Sequence, residues 1–361
     1  MRSWAVLLFW VMSGCAEADV AANQLQQTIL YDEDGRREYF ESSDPLLRDI
    51  FFRSSVALID NRYLDLKTAG IAGDTPSWSA ADGVCTDQRF ADQPAAAFCS
   101  GVLIDWDLVL TAGHCVRLLA LRNFSVVFGY YYERPNALAL RTGDIVRPVS
   151  IVAEALDLDD AEPRRDFAWL RLERTVSPSL QPVAFYSHPP SLHAGDRVIT
   201  IGAPQGVPMK FEDTGSVRSV RDQGDFFVAS TDTSAGWSGG AVYDSDMISI
   251  GILSRGAKDL TEGPNGCRLE LQRAGETNAT EQFSYIAPAI KALCEKEPSR
   301  RICSQDCAPI CQTTAAPHIN DTTTDGGCSF SPRTSGARPT ALLLTLLAAL
   351  ARRRSRRPAP T

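Results

Sequence analysis

Leu108-Val-Leu-Thr-Ala-Gly-His-Cys115 joins a strand-like apolar run to a glycine, a histidine and a cysteine. Runs of this length recur along the chain, at Val56–Ile59, Gly101–Ile104, Ser125–Phe128, Phe167–Leu172, Arg197–Ile201, Phe226–Ser230, Gly240–Tyr243 and Ile248–Leu253. They are short, rich in β-branched and aromatic residues, and broken by Gly, Pro and Asp. No helical period lies between them, so the pattern predicts an all-β barrel or sandwich. A closing helix is expected over Ser284–Cys294, with Pro288 near its first turn. No internal sequence repeat is present.

His114 gains meaning from Thr233-Ser-Ala-Gly-Trp-Ser-Gly-Gly240. A serine hydroxyl is a poor nucleophile until a base takes its proton, a third group orients that base, and donors await the oxyanion. The chain has four histidines. His188 precedes two prolines, His193 lies in a polar loop, and His318 falls in a Thr-rich segment. Only His114 ends an apolar strand, so it is the expected base for Ser238. Asp166 follows Arg164-Arg165 and opens the apolar run Asp166-Phe-Ala-Trp-Leu-Arg-Leu172, and reads either as an ordinary surface acid or as an acid carried into a strand. Asp157, Asp159 and Asp160 have no following apolar run and read as a solvated loop.

Thr111-Ala-Gly-His-Cys115, Asp166–Leu172 and Gly236-Trp-Ser-Gly-Gly240 occur in that order, which resembles the trypsin-like serine proteases. The resemblance covers roughly residues 50 to 295. It implies two six-stranded antiparallel β-barrels, chymotrypsin-like, with a C-terminal helix and the site in the cleft between the barrels. It implies His114 as general base and acid, Asp166 as its orienting carboxylate and Ser238 as nucleophile. Gly236 and Ser238 would supply the oxyanion N–H groups, and Cys99 and Cys115 would form the disulfide beside the histidine. An α/β-hydrolase esterase carries the same groups in the order Ser, acid, His, which is reversed here. The alternative from another class is a non-catalytic surface binding module on the same fold.

The pattern departs from the digestive branch at Trp237, where an aspartate would pair with a freshly cleaved N-terminal amine. Asp232-Thr-Ser-Ala-Gly-Trp-Ser-Gly-Gly240 and Ile201-Gly-Ala-Pro-Gln-Gly206 resemble instead the bacterial glutamyl-endopeptidase-like branch. Asp232, six residues before Ser238, selects basic residues in trypsin but is a frequent part of the loop in this branch. The branch's histidine after Gly-Ile is replaced by Leu253 in Gly251-Ile-Leu-Ser-Arg-Gly256. Ser254 and Gly256 are expected to border the substrate, with Ser254 also near Asp166. Arg255 replaces an aromatic residue and either attracts an acidic substrate or faces solvent.

The 361 residues are 44% hydrophobic and 22% charged, as in a soluble globular protein. Arg2, the apolar run Trp4–Met12 and the small residues after it read as a signal peptide over 1–18. Ala16-Glu17-Ala18 fits soluble export, while Met12-Ser13-Gly14-Cys15 fits a lipobox. Residues 19–46 are polar and acidic and read as an N-terminal extension or propeptide. The protease domain is expected over 47–295, a Cys/Thr-rich stalk over 296–325 and a sorting signal over 326–361. In that signal Gly327-Cys328 precedes an apolar run, 341–351, and an arginine cluster. Eleven residues make a helix of about 17 Å, short of a bilayer core of roughly 30 Å. The arrangement resembles the myxobacterial-type sorting tail, which implies processing and lipid modification at Cys328. A membrane-surface helix is the alternative. Removing the seven arginines of 329–361, a stretch without acids, takes the formal charge from −8 to −15. That charge argues against nucleic acid as a partner. An exported, surface-anchored monomer acting on polypeptides is expected, with no cofactor and no metal. Ten cysteines in an exported chain favour disulfides. Besides Cys99 and Cys115, the six cysteines 85, 267, 294, 303, 307 and 311 allow fifteen pairings. The Cys303-x3-Cys307-x3-Cys311 spacing reads as a stapled stalk, with metal binding as the alternative.

Overall fold

Arg147 and Pro148 decide how the first sheet closes. A computed structural model describes residues 34–157, 164–221, 224–271, 281–304 and 310–313. The expected signal peptide with Cys15, the sorting signal with Cys328, and Asp159, Asp160, Cys307 and His318 lie outside the described residues. The first sheet runs in the order Ile145–Val146, Phe124–Phe128, Ser55–Asp60, Ala97–Asp105, Leu108–Thr111, Asp166–Leu172, Pro148–Leu156. Its two edge strands are separated in sequence only by Arg147. Pro148 has no N–H to continue a ladder, so the chain bends there. One half of this segment pairs with Phe124–Phe128 and the other with Asp166–Leu172, which closes the sheet on itself.

Strand residues alternate between two apolar environments, as the two-residue period of a strand requires. Val109, Val126, Ala168 and Leu170 point into the first barrel, while Leu110, Val127, Phe167 and Trp169 face the neighbouring layer. The second sheet has Arg37–Glu38 at one edge. It continues through Lys210–Glu212, Ile199–Gly202, Ala241–Tyr243, Ser249–Arg255, Glu281–Tyr285 and Phe226–Ser230 to Ser216–Val220. The residues just before Ile199 return to the far edge: Gly195 N–H bonds the Val217 carbonyl, Val217 N–H the Asp196 carbonyl, and Val198 N–H the Gly215 carbonyl. The interior holds Val198, Val217, Phe227, Trp237, Ile250 and Phe283.

This is the expected all-β, two-barrel, chymotrypsin-like fold. The sheets hold seven and ten strands rather than six each. The bent 145–156 segment counts twice in the first sheet, and Arg37–Glu38, Phe185–Tyr186 and Ile310–Cys311 extend seven other strands in the second. The closing helix spans Ile286–Lys296 and buries Ile286, Ala289, Ile290 and Leu293, one face at i, i+3, i+4, i+7 spacing. Trp169 Nε1 donates to the Ala289 carbonyl at 2.8 Å and fixes the helix on the first barrel. A helix over Pro45–Ser54 crosses the boundary expected at residue 46; Asp44 caps it by accepting the Leu46 and Leu47 N–H groups.

Segments read as extension and stalk pack on the barrels. Arg36 is fully buried between Asp34 and Glu270, and Arg300 bonds Asp105 and Asp107. Two of the open cysteine pairings are Cys85–Cys267 and Cys294–Cys303, and Cys99 pairs with Cys115. With its sulfur bonded to Cys294, Cys303 is no metal thiolate. No helix among the described residues is long and apolar enough to cross a membrane.

Candidate active site

His114 follows the Leu108–Thr111 strand and starts a short helix, Cys115–Leu118. Gly113 is required beside it: a Cβ there would meet the Ala155 and Phe167 carbonyls and come within 3.1 Å of Asp166 Oδ1. The closeness lets Asp166 hold the histidine twice. Asp166 Oδ1 accepts the His114 backbone N–H at 3.0 Å, and Oδ2 lies 2.8 Å from His114 Nδ1. Asp166 is 2% exposed while the His114 side chain is 32% exposed, so the acid is walled in and the imidazole reaches the surface. With Nδ1 facing a carboxylate, Nε2 is the nitrogen left for chemistry. His188 bonds Ser187, and His193 sits 3.6 Å from Asp196; neither approaches Asp166 through a hydrogen bond.

Ser238 is carried to the same place by its backbone. Its carbonyl accepts the Ser100 N–H at 2.8 Å and lies 3.7 Å from Cys115 Sγ. Gly239 packs so tightly on Thr111, Ser100 and Ala112 that no side chain fits, and its φ of +83° suits glycine. The loop and the His114 turn are therefore in direct contact.

The peptide planes of the loop have fixed directions. The Ala235 carbonyl accepts the Gln205 N–H at 2.6 Å, and the Trp237 carbonyl accepts the Gly240 N–H at 2.7 Å. In a trans peptide the N–H points opposite to its own carbonyl. The Gly236 N–H thus points away from the Gln205 anchor, and the Ser238 N–H away from the Gly240 anchor. Among the described residues neither has an acceptor, whereas Ala235, Trp237, Gly239 and Gly240 all donate. Two idle backbone donors on the loop that carries the serine are the kind of group that binds an anion. Gly236 has φ +83° and lies against the Ala203 carbonyl. Ser100 Oγ donates to the Gly236 carbonyl at 2.8 Å and accepts the Ala203 N–H at 2.9 Å. Ser100, Gln205 and Asp259, whose Oδ2 accepts the Ala235 N–H at 2.6 Å, were not among the residues singled out from sequence.

Trp237 is fully buried in the second barrel, its ring against Gly202 and Gly240. Apolar burial holds the loop where the digestive enzymes use an ion pair. The four expected substrate-side residues fare differently. Ser254 does not bond Asp166: its hydroxyl donates to the Gln282 carbonyl at 3.0 Å, within its own sheet. Arg255 is half-buried and bonds the Asp157 carbonyl, linking the end of a second-barrel strand to the first barrel. Gly256 is exposed and lies against Glu281. Asp232 is 2% exposed, and its Oδ2 accepts the Gly35 N–H at 2.7 Å. Cys99, His114 and Cys115 bring potential ligand atoms within 4.8 Å of one another, but the sulfurs form a disulfide and Nδ1 faces Asp166, so the group does not fit a metal.

Residues 99–252 match the family described as the trypsin-like peptidase domain. No curated protein sequence matches the chain. Among solved structures, the inactive form of a serine-to-alanine mutant of Rv3671c from M. tuberculosis H37Rv is similar at 19% identity with a TM-score of 0.35. The similarity covers 56% of this chain and 82% of that one. The family match spans His114, Asp166 and Ser238.

Proposed function

We propose that this trypsin-like peptidase domain is an active serine endopeptidase of an exported protein. Ser238 Oγ attacks the scissile carbonyl while His114 Nε2 takes its proton. Asp166 keeps the neutral imidazole in the tautomer with Nδ1–H and stabilises the imidazolium that forms. The tetrahedral oxyanion lies against the Gly236 and Ser238 N–H groups. Collapse passes the proton from His114 to the leaving amine and leaves an acyl-enzyme on Ser238, which water hydrolyses by the same route. The observation that carries this reading is the conjunction of the 2.8 Å His114–Asp166 contact with two idle N–H groups on the loop touching Cys115.

The loop anchored by Trp237 supports assembly without a cleaved N-terminal amine, as in the glutamyl-endopeptidase-like branch. Surface attachment through Cys328 belongs to the same proposal and rests on the tail pattern alone. Labelling with a fluorophosphonate probe tests the enzyme reading. The native chain is expected to label and Ser238→Ala to lose all labelling. A folded native chain that fails to label is a binding module instead.

A further inference from the structure

Asp259 lies far from the triad in sequence, at the root of the hairpin formed by Leu260–Glu262 and Arg268–Glu270. One oxygen, Oδ2, accepts two hydrogen bonds: the Ala235 N–H at 2.6 Å and the Gln205 Nε2–H at 3.1 Å. Gln205 in turn donates its backbone N–H to the Ala235 carbonyl at 2.6 Å. The carboxylate and the glutamine thus grip Ala235 at both its N–H and its carbonyl.

That grip matters because the next residue is glycine. Gly236 sits at φ +83°, where a residue without Cβ rotates at low cost. Rotation of the Ala235–Gly236 peptide plane would turn the Gly236 N–H away from the reacting carbonyl. Its own N–H has no internal acceptor to resist that rotation, so the restraint must come from the preceding residue. Asp259 is itself anchored, since its carbonyl accepts the Leu271 N–H at 2.9 Å. Gln205 adopts φ +51°, an unfavourable backbone for a side-chain-bearing residue, and Ala235 and Asp259 hold it there.

We propose that Asp259, through Ala235 and Gln205, is a positioning residue that holds the Gly236 N–H in register for the oxyanion. The inference rests on the serine endopeptidase reading and adds a residue to it. The test uses the full-length chain and compares Asp259→Ala, Asp259→Asn and Gln205→Ala with the native protein. The rate of fluorophosphonate labelling and the kcat and KM for p-nitrophenyl acetate are measured, with near-ultraviolet circular dichroism reporting the folded fraction.

Asp259→Ala is expected to lower kcat and labelling rate about 100-fold with KM little changed, near the effect of deleting one oxyanion donor. Asp259→Asn keeps an acceptor oxygen for Ala235 and is expected to lose less than about 10-fold, and Gln205→Ala to fall between them. Native rates in folded Asp259→Ala, or losses that merely follow the folded fraction, overturn the inference. If Asp259→Ala does not fold, the same decision falls on Gln205→Ala. A native chain that labels while Asp259→Ala labels equally well removes Asp259 alone. A folded native chain that never labels removes the endopeptidase reading and this inference with it.

Discussion

Glu212 and Asp232 face each other across Gly35 in the interior. A Cβ on Gly35 would lie 3.1 Å from Asp232 Oδ2 and 3.4 Å from Glu212 Oε1. Burial first, and then the charge of Asp232, push the Glu212 carboxyl up to about 8. Thr214 donates both its N–H and its hydroxyl to Glu212, which lowers it again, and Asp213 nearby raises it. The folded state therefore holds a proton that the unfolded chain releases near the ordinary value of 4.5. Between those two values the native state binds more protons, so this group's contribution to stability falls as pH rises and is lost above about 8. Glu212→Gln is expected to flatten that decline: its melting temperature should exceed the native one at pH 9 and approach it at pH 5. Parallel melting curves for the two proteins across that range would refute the assignment. Asp232 was legible as a notable aspartate because its spacing to Ser238 matches a family position. Glu212 was not legible, because nothing local marks a carboxyl that meets Asp232 only through strand pairing. His114, Asp166 and Ser238 were legible for the opposite reason. Each needs a distinctive neighbour, the tight Gly113, a buried apolar strand, or the glycines that let the loop turn. Asp259, Gln205 and Ser100 act through backbone contacts that leave no local pattern.

The arm Asp34–Glu38 belongs to the polar, acidic segment that reads as an N-terminal extension or propeptide. Its charges are in fact turned inward. Arg36 donates to Glu270 at 2.7 Å through both terminal nitrogens and to Asp34 at 2.8 and 2.9 Å, and Lys210 lies 3.1 Å from Glu38. A fork-to-carboxylate pair of this kind satisfies its members fully, which is how fully buried guanidinium is tolerated. The arm also supplies the Gly35 N–H to Asp232 and adds a strand beside Lys210–Glu212. Sequence reading treats charge as a mark of solvent, and it fails where an ion pair such as Arg36–Glu270 joins residues 234 positions apart. Breaking such a pair from one side leaves an uncompensated charge inside. Arg36→Ala is expected to cost about 3–5 kcal/mol in guanidinium unfolding. Arg36→Met combined with Glu270→Leu should cost less than Arg36→Ala alone, since both charges leave together. A loss under about 1 kcal/mol for Arg36→Ala would mean that the arm is peripheral. The helix Pro45–Ser54 carries an N-cap, Asp44, and a first-turn proline, Pro45, but its buried face is only Leu47, Phe51 and Ser54. So short a stripe does not stand out from the polar segment around it.

At the scale of the whole molecule, the chain's two barrels are joined by more than the cleft. Cys85 lies in the excursion between Ser55–Asp60 and Ala97–Asp105 of the first sheet. Cys267 lies in the hairpin that carries Asp259 and Glu270. Two backbone bonds at 2.9 Å, Cys85 N–H to the Arg268 carbonyl and Arg268 N–H to the Gly83 carbonyl, run beside the disulfide. The two barrels were expected from the family resemblance, which three ordered and local motifs carry. This cross-tie was not, because six cysteines carry no record of which two meet. In the chain-entropy account a cross-link restricts the unfolded chain more the longer the loop it closes. Cys85–Cys267 spans 182 residues and Cys99–Cys115 only 16. The two closures correspond to about 5 and about 3 kcal/mol. Replacing Cys85 and Cys267 together by serine is therefore expected to destabilise the protein more than the same change at Cys99 and Cys115, judged by guanidinium midpoints at equal slope. The site gives an opposing expectation for turnover. Cys115 adjoins His114 and contacts the Ser238 carbonyl, so the short-loop variant should lose more activity per unit of stability. If the long-loop variant proves the more stable of the two, the excursion and the hairpin are held together by packing rather than by the cross-link.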